Sequence, residues 1–427
     1  MKKIIIISIL ILLITGINIM KNTRGDEKMN TINIEKLNRI NKEEIINPDR
    51  YIRSTKMTEE VLEKALADAL VKLDELWEDV HGNFPGDASV NNIYPEVTNE
   101  AGWHQGFFTG MLWLAYEATG DVKYKERALS QIQSYEDRIV NQIGVNHHDM
   151  GFLYMPSCVA AYKLDGNEQG KNAALKAADH LLTRYIEKGQ FIQAWGDVGK
   201  SLRLIIDCMN NIPLLFWASE ETGDKSYYNK AYNHAITTIN HIVRDDASTH
   251  HTFFFHPDGT PDKGVTHQGA SDDSCWARGQ AWIISGLPQS YKYTKEEKLL
   301  ELFEKVANYY INRLPEDFVP YWDMIFGDGS GEERDSSSAA IAACGFLEMI
   351  PNIKDEELRK VYEGVVDKMM YSLCTNYTTK GTDSNGLLLH AVYSKKGGFG
   401  VDECNLWGCY YYMEALVRML KGTKAYW

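Results

Sequence analysis

The chain is short of several things that would point to common classes of function. Its seven cysteines, Cys158, Cys208, Cys275, Cys344, Cys374, Cys404 and Cys409, are scattered, odd in number and without a CxxC pair. They exclude a disulfide framework and read as buried free thiols. No Gly-x-Ser-x-Gly elbow and no His-Glu-x-x-His helix occurs. Gly327-Asp-Gly-Ser-Gly331 lacks the following Lys-Ser/Thr of a phosphate loop and reads as a turn. A net charge of −14, with no stripe of Lys and Arg, excludes a nucleic-acid footprint. After residue 50 there is no Pro-, Gly- or Ser-rich linker, so nothing divides the remaining chain into separate domains.

The N-terminus differs from the rest. Lys2 and Lys3 precede an uncharged stretch, Ile4 to Ile19, that fits a signal-peptide core or a short membrane anchor. Thr15-Gly16 followed by Ile-Asn-Ile-Met makes a poor cleavage site. A start at Met20 or Met29 would leave the segment unmade and the protein in the cytoplasm. The expected organisation is residues 1–24 as signal or anchor, 25–48 as a polar tether, and 49–427 as one catalytic domain.

Apolar residues recur there at three- and four-residue spacing. The pattern predicts helices over 57–80, 103–119, 121–141, 150–164, 168–187, 201–222, 224–244, 274–292, 295–313, 335–350, 355–376 and 404–420. One junction repeats: Glu117-Ala-Thr-Gly-Asp121 and Glu220-Glu-Thr-Gly-Asp224. In each, the glycine can take the left-handed conformation that ends a helix, and the aspartate can cap the next. Six such hairpins can close into an all-α (α/α)6 barrel. The rival, an open solenoid, would show a fixed repeat, and none is found. Two stretches without helical periodicity, 245–273 and 377–403, are long enough to be functional loops at one mouth of a barrel.

What remains for chemistry is carboxylates, histidines and tryptophans. Asp149, in Asn146-His-His-Asp-Met-Gly-Phe152, stands where a helix begins and could simply cap it. Asp207, in Arg203-Leu-Ile-Ile-Asp-Cys208, follows three apolar residues; it could pair with Arg203 at i, i+4 spacing or be held protonated. Two carboxylates are the minimum for acid/base work on a sugar. An apolar setting and a negative neighbour both raise a carboxyl pKa, which makes Asp207 the better proton donor. The adjacent pairs His147-His148 and His250-His251 do not have the i, i+4 spacing of metal ligands, and neither a metal nor another cofactor is expected. Trp103, Trp195, Trp276, Trp282, Trp322 and Trp407 stand at helix starts or beside loops, as in a cavity lined for sugar rings.

Taken together these segments resemble glycoside hydrolase family 88, the unsaturated glucuronyl hydrolases. The resemblance rests on Trp103 with Gly106-Phe-Phe-Thr-Gly-Met-Leu-Trp-Leu-Ala-Tyr-Glu117, His147 to Tyr154, Ile192-Gln-Ala-Trp195 and Arg203 to Cys208. It continues through His251-Thr-Phe-Phe-Phe255, Thr266-His-Gln-Gly269, Trp276-Ala-Arg-Gly-Gln-Ala-Trp282, Arg334-Asp-Ser-Ser-Ser-Ala339 and Trp407-Gly-Cys-Tyr-Tyr-Tyr412. These lie in family order over nearly all of 57–427, and the N-terminal segment lies outside them.

The resemblance implies an (α/α)6 barrel and an unusual reaction, hydration of the C4–C5 enol ether that polysaccharide lyases leave in a terminal uronic acid. It implies Asp207 as the acid/base and Asp149 as the second essential aspartate. Trp103 and Trp195 would flank the unsaturated ring. His251, His267, Gln268, Arg278 and Trp282 would line the pocket, with Arg278 a charge partner for an anionic group. The implied partners are unsaturated glycosaminoglycan disaccharides and short oligosaccharides, with a membrane met only through residues 1–24 if these are uncleaved.

Two departures stand out. His104-Gln105 replaces the Thr and small polar residue of relatives. The Ser-x-x-Ser-x-Lys run with which some members hold a sulfate reads Ser394-Lys-Lys-Gly-Gly-Phe399. Ser394 is kept, while Gly397 and Phe399 stand for the second Ser and the Lys. Two other readings compete: a related enzyme acting on unsaturated rhamnogalacturonan fragments of pectin, and a non-catalytic carbohydrate-binding barrel.

Overall fold

The computed structural model describes residues 29–52 and 56–427; the apolar N-terminal run lies outside them. Two kinds of helix alternate along the chain, and their sequences show why. Gln105–Thr119 buries eleven of its residues, Gln105 through Ala115, and is apolar all round. Glu59–Asp79 buries only a stripe at Leu62, Ala65, Leu66, Ala69, Leu73 and Leu76, with charges opposite. The first kind can only be surrounded by other helices; the second covers it.

Six buried helical segments form the inner ring. They are Gln105–Thr119, the run Met150–Tyr154 to Ala160–Asp165, Ile206–Asn210 with Pro213–Thr222, Ala277–Thr294, Ser336–Met349 and Leu406–Lys421. Each packs on the next, and the last packs on the first. Outside them lie Glu59–Asp79, Val122–Ser130 with Ile132–Val140, Glu168–Leu182, Lys225–Ile242, Glu297–Ile311 and Glu356–Asn376. The result is an (α/α)6 barrel. Close packing of the ring depends on glycine at particular places: a Cβ on Gly106 would lie 2.1 Å from the Phe152 carbonyl oxygen, and one on Gly345 2.5 Å from that of Ile284.

The repeated junctions form as their chemistry requires. Gly120 and Gly223 are left-handed, with φ of 70° and 73°. The Asp121 and Asp224 carboxylates accept from the amides of Lys123 and Ser226.

Several expectations need correction. Residues 201–205 are not helical: Arg203–Ile205 is a strand paired antiparallel with Thr252–Phe255, which pairs in turn with Pro261–Val265. A short run of Leu and Ile satisfies strand and helix equally, and here a distant partner decides. The two stretches expected as loops contain β-hairpins, Thr252–Phe255 with Pro261–Val265 and Ala391–Ser394 with Phe399–Glu403. Helix 121–141 breaks at Gln131, and 150–164 contains a π-helical turn, Met155–Val159, around Pro156. From residue 29 onward the expected tether is docked on the barrel. Asn30 N donates to Asn233 at 2.7 Å, and Lys305 donates to the Leu37 carbonyl at 2.7 Å. Ile32, Leu37, Ile40 and Tyr51 are buried, and these apolar residues, hidden among polar ones, supply the attachment. Among the described residues no helix is long and apolar enough to cross a membrane.

Candidate active site

The inner helices begin at one end of the barrel, and their first residues meet there. His104 precedes Gln105–Thr119, Asp149 stands before Met150–Tyr154, and Asp207 opens the turn Ile206–Asn210. Trp276 precedes Ala277–Thr294, and Asp335 precedes Ser336–Met349. The two β-hairpins lean over the same end. Between them is a cavity of about 420 Å³ lined by Trp103, Asp149, Trp195, Asp207, Arg278 and Tyr393 among others. Its size suits a sugar or two.

Asp149 occupies the helix-capping position but makes no capping hydrogen bond. Its carboxylate turns instead to His147 Nδ1 at 3.0 Å, His148 Nε2 at 3.3 Å and Asn211 Nδ2 at 3.5 Å. His148 Nε2 also stands 2.8 Å from Asp207 Oδ1, so one imidazole N–H lies between two carboxylates. His148 is fully buried, Asp149 is 5% exposed, and the Asp207 side chain keeps 18% of its surface open to the cavity. The i, i+4 ion pair of Arg203 with Asp207 does not form: the strand carries Arg203 elsewhere, its guanidinium 4.9 Å from the Trp195 ring.

The electrostatics separate the two acids. Burial pushes the Asp207 carboxyl up, His148 and Arg278 pull it down, Asp149 pushes it up again, and the outcome is upward. Asp149 is buried too, but His148, His147 and Asn211 outweigh burial and hold it below the usual range. Burial disfavours the charged form of His148, yet the two carboxylates together raise its pKa. One acid is therefore inclined to keep its proton and its neighbour to lose it, the division that acid/base chemistry needs. The two carboxylates and His148 bring donor atoms within 4.8 Å of one another, close enough for a cation and equally for a shared proton.

The walls are aromatic. Trp103 lies 4.7 Å from the Trp407 ring in a stacked pair, and its indole N–H donates to Tyr393 Oη at 3.0 Å. Trp195 meets His267 edge-on at 5.3 Å. Buried Arg184 sets the Trp195 segment in place by donating to the carbonyls of Gln193 and Gly196, and it ties the same segment to Asn146 beside His147. Trp276 and Trp282 also line the cavity. Trp322 does not; its indole donates to Glu332 at 2.8 Å. Trp407 supports Trp103 from behind.

The other expected residues divide into those that face the cavity and those that hold it. His267, Gln268 and Ser394 line it. His251 lies behind the lining, with its Nδ1 accepting from the amides of His267 and Gln268 at 3.1 Å each. Burial keeps its pKa well below the ordinary value, with His267 and Arg278 adding to the effect, so it stays neutral and able to accept. Arg278 reaches the cavity wall, but its charge is already matched by Asp335 at 2.8 Å. It also donates to the carbonyls of Val392 and Tyr393. That makes it a clamp for the Ala391–Ser394 strand rather than a free partner for an anion. Gln268 Nε2 donates to the same Tyr393 carbonyl at 2.9 Å.

Three site residues lie outside the roles expected from the sequence: Asp87, Tyr393 and His148, the last standing in the His-His-Asp run with no role beyond an unsuited metal ligand. Asp87, Tyr393 and Phe399 line the cavity. Asp87 gave no signal beyond its place in a Pro-Gly-Asp turn.

An all-helical barrel with a split pair of aspartates between tryptophan walls is the build of a carbohydrate-processing enzyme. Residues 78–424 match Glycosyl Hydrolase Family 88, and the chain belongs to that family. It is 47% identical over 390 residues to an unsaturated chondroitin disaccharide hydrolase of Streptococcus pneumoniae, covering 90% of this chain and 98% of the relative. The crystal structure of an unsaturated glucuronyl hydrolase from Streptococcus agalactiae superposes with a TM-score of 0.89 at 47% identity, covering 91% of this chain and 99% of that one. An asparagine-for-aspartate variant of the Streptococcus agalactiae enzyme, crystallised with dGlcA-GalNAc6S, superposes with a TM-score of 0.83 at 43% identity, covering 94% and 100%.

Proposed function

We propose that the protein removes a 4,5-unsaturated uronic acid from the non-reducing end of glycosaminoglycan disaccharides and short oligosaccharides. The observation that carries this reading is Asp207: a half-buried carboxyl, raised in pKa, open to an aromatic cavity and linked through His148 to Asp149, whose pKa is lowered. The neutral Asp207 gives its proton to C4 of the enol ether, and positive charge develops at C5 and the ring oxygen. Water adds at C5 and returns a proton to the Asp207 carboxylate, leaving a hemiketal. The hemiketal opens by breaking the bond from C5 to the ring oxygen, and the hemiacetal left at C1 then releases the second sugar. Asp149 stays charged, favours the proton on Asp207 and is placed to accept from sugar hydroxyls. Trp103 and Trp195 offer faces to the flat unsaturated ring, and the start of each inner helix offers positive potential to its carboxylate.

Loss of the ultraviolet absorbance of the conjugated enol acid tests the reading directly. Chondroitin- and hyaluronan-derived unsaturated disaccharides should lose it in the presence of the protein, and pectin-derived unsaturated rhamnogalacturonan disaccharide should not. No loss with any glycosaminoglycan disaccharide would overturn the proposal. The lysine pair and apolar run at Ile4 to Ile19 support export or membrane attachment. N-terminal sequencing of the native protein tests that by showing whether residues 1–24 remain.

A further inference from the structure

The cavity holds a third carboxylate, which the reaction described above does not use. Asp87 lines it together with Tyr393, Ser394 and Phe399. Its backbone is fixed: its carbonyl accepts from Leu406 N at 3.1 Å, and Ala88 bridges to Asn405. Its side chain is tied at one oxygen only, where Oδ1 accepts from Ala88 N at 2.9 Å. Half-buried and without an ion pair among the described residues, the carboxylate lies open to the cavity.

Asp87 stands apart from the proton-sharing cluster. The charges that act on Asp207 are those of His148, Asp149 and Arg278. Asp87 shares its part of the lining with Tyr393, whose hydroxyl takes the Trp103 indole hydrogen. Phe399 extends this wall, its ring 5.2 Å from that of Tyr393. Among the described residues no cation pairs with Asp87: Arg278 is paired with Asp335, and Lys395 with Glu333. With the unsaturated ring at Asp207, the second sugar of a disaccharide extends along a wall that is acidic and aromatic.

Building on the proposed function, we propose that Asp87 is a specificity-determining residue: it accepts a hydrogen bond from a free hydroxyl of the leaving-side sugar and disfavours a sulfate on that side. A carboxylate rewards a hydroxyl donor and repels a second anion, while the aromatic wall packs on the sugar face.

The test compares kcat/KM for unsulfated and 6-sulfated dGlcA-GalNAc. Wild-type protein should favour the unsulfated compound, and Asp87→Asn should shrink that preference about tenfold, chiefly through KM. Asp87→Glu should keep the preference. In wild-type protein alone, raising the ionic strength should narrow the preference by screening the repulsion. A preference for the sulfated compound, a ratio indifferent to salt, or one unchanged in folded Asp87→Asn overturns the assignment. Turnover of neither compound by wild-type protein overturns the hydrolase reading beneath it, a result distinct from the other three.

Discussion

The two ends of the barrel bury acids for opposite purposes. At the end where the inner helices finish, Glu414 is 1% exposed and fully engaged. Arg418 holds it at 3.2 Å, and the Trp427 indole donates to it at 3.0 Å. Arg418 also reaches Glu348 at 2.7 Å. Tyr426 hydrogen-bonds Glu117, and Lys163 and Lys292 donate to the carbonyls of Tyr426 and Trp427. At the end where the helices start, Asp207 is half-buried, its side chain 18% exposed, and its partner is a histidine shared with a second acid. An arginine pair fixes a charge. A shared imidazole leaves a proton free to move, and the difference between closing a barrel and working in one lies in that choice of partner.

Breaking the working end should leave the fold alone. Asp207→Asn should lower kcat by about 10³-fold or more, as loss of a positioned acid does, with the melting temperature within a few degrees of wild type. Parallel losses of activity and melting temperature would place Asp207 among the supports. Breaking the closed end should do the reverse. Arg418→Ala leaves buried Glu414 without its cation and removes the partner of half-buried Glu348, which costs about 3–5 kcal/mol in denaturant unfolding, while kcat of the folded protein stays within about twofold. A smaller effect falls on the residues behind the cavity. His251→Phe removes the acceptor of two backbone amides, and KM should rise about tenfold with a modest change in kcat. The smallest is a surface control: Lys360→Ala, on an outer helix where Lys360 pairs with Glu357 in solvent, should leave both the melting temperature and kcat indistinguishable from wild type.

The barrel was legible in the sequence because helical periodicity and turn chemistry are local. The two Thr-Gly-Asp junctions state their own geometry. Arg203–Ile205 was not legible, because its strand partner lies some fifty residues on and Leu-Ile-Ile carries no period of its own. The docking of residues 29–52 was hidden for a similar reason: a few apolar residues in a polar stretch mean little until the surface that receives them is known. At the site, the two aspartates and most of the cavity residues could be named from motifs. Their division of labour could not. Arg278 was expected to be free and is spent on Asp335 and the Ala391–Ser394 strand. His148 was in view but depends on Asp207, 59 residues away, for its meaning. Asp87 becomes a site residue only when the hairpin of Ala391–Ser394 and Phe399–Glu403 brings Tyr393, Ser394 and Phe399 beside it.

The central claim is that Asp207 is kept protonated by burial and by the charge of Asp149. The pH dependence of kcat/KM on an unsaturated disaccharide, in wild type and in Asp149→Asn, bears on it most directly. In wild type the rate should fall at high pH as Asp207 loses its proton and at low pH as Asp149 gains one. Removing the negative neighbour lowers the Asp207 pKa, so the residual activity of Asp149→Asn should fail at a lower pH on the alkaline side. An alkaline limb that stays in place, or moves upward, would contradict the account.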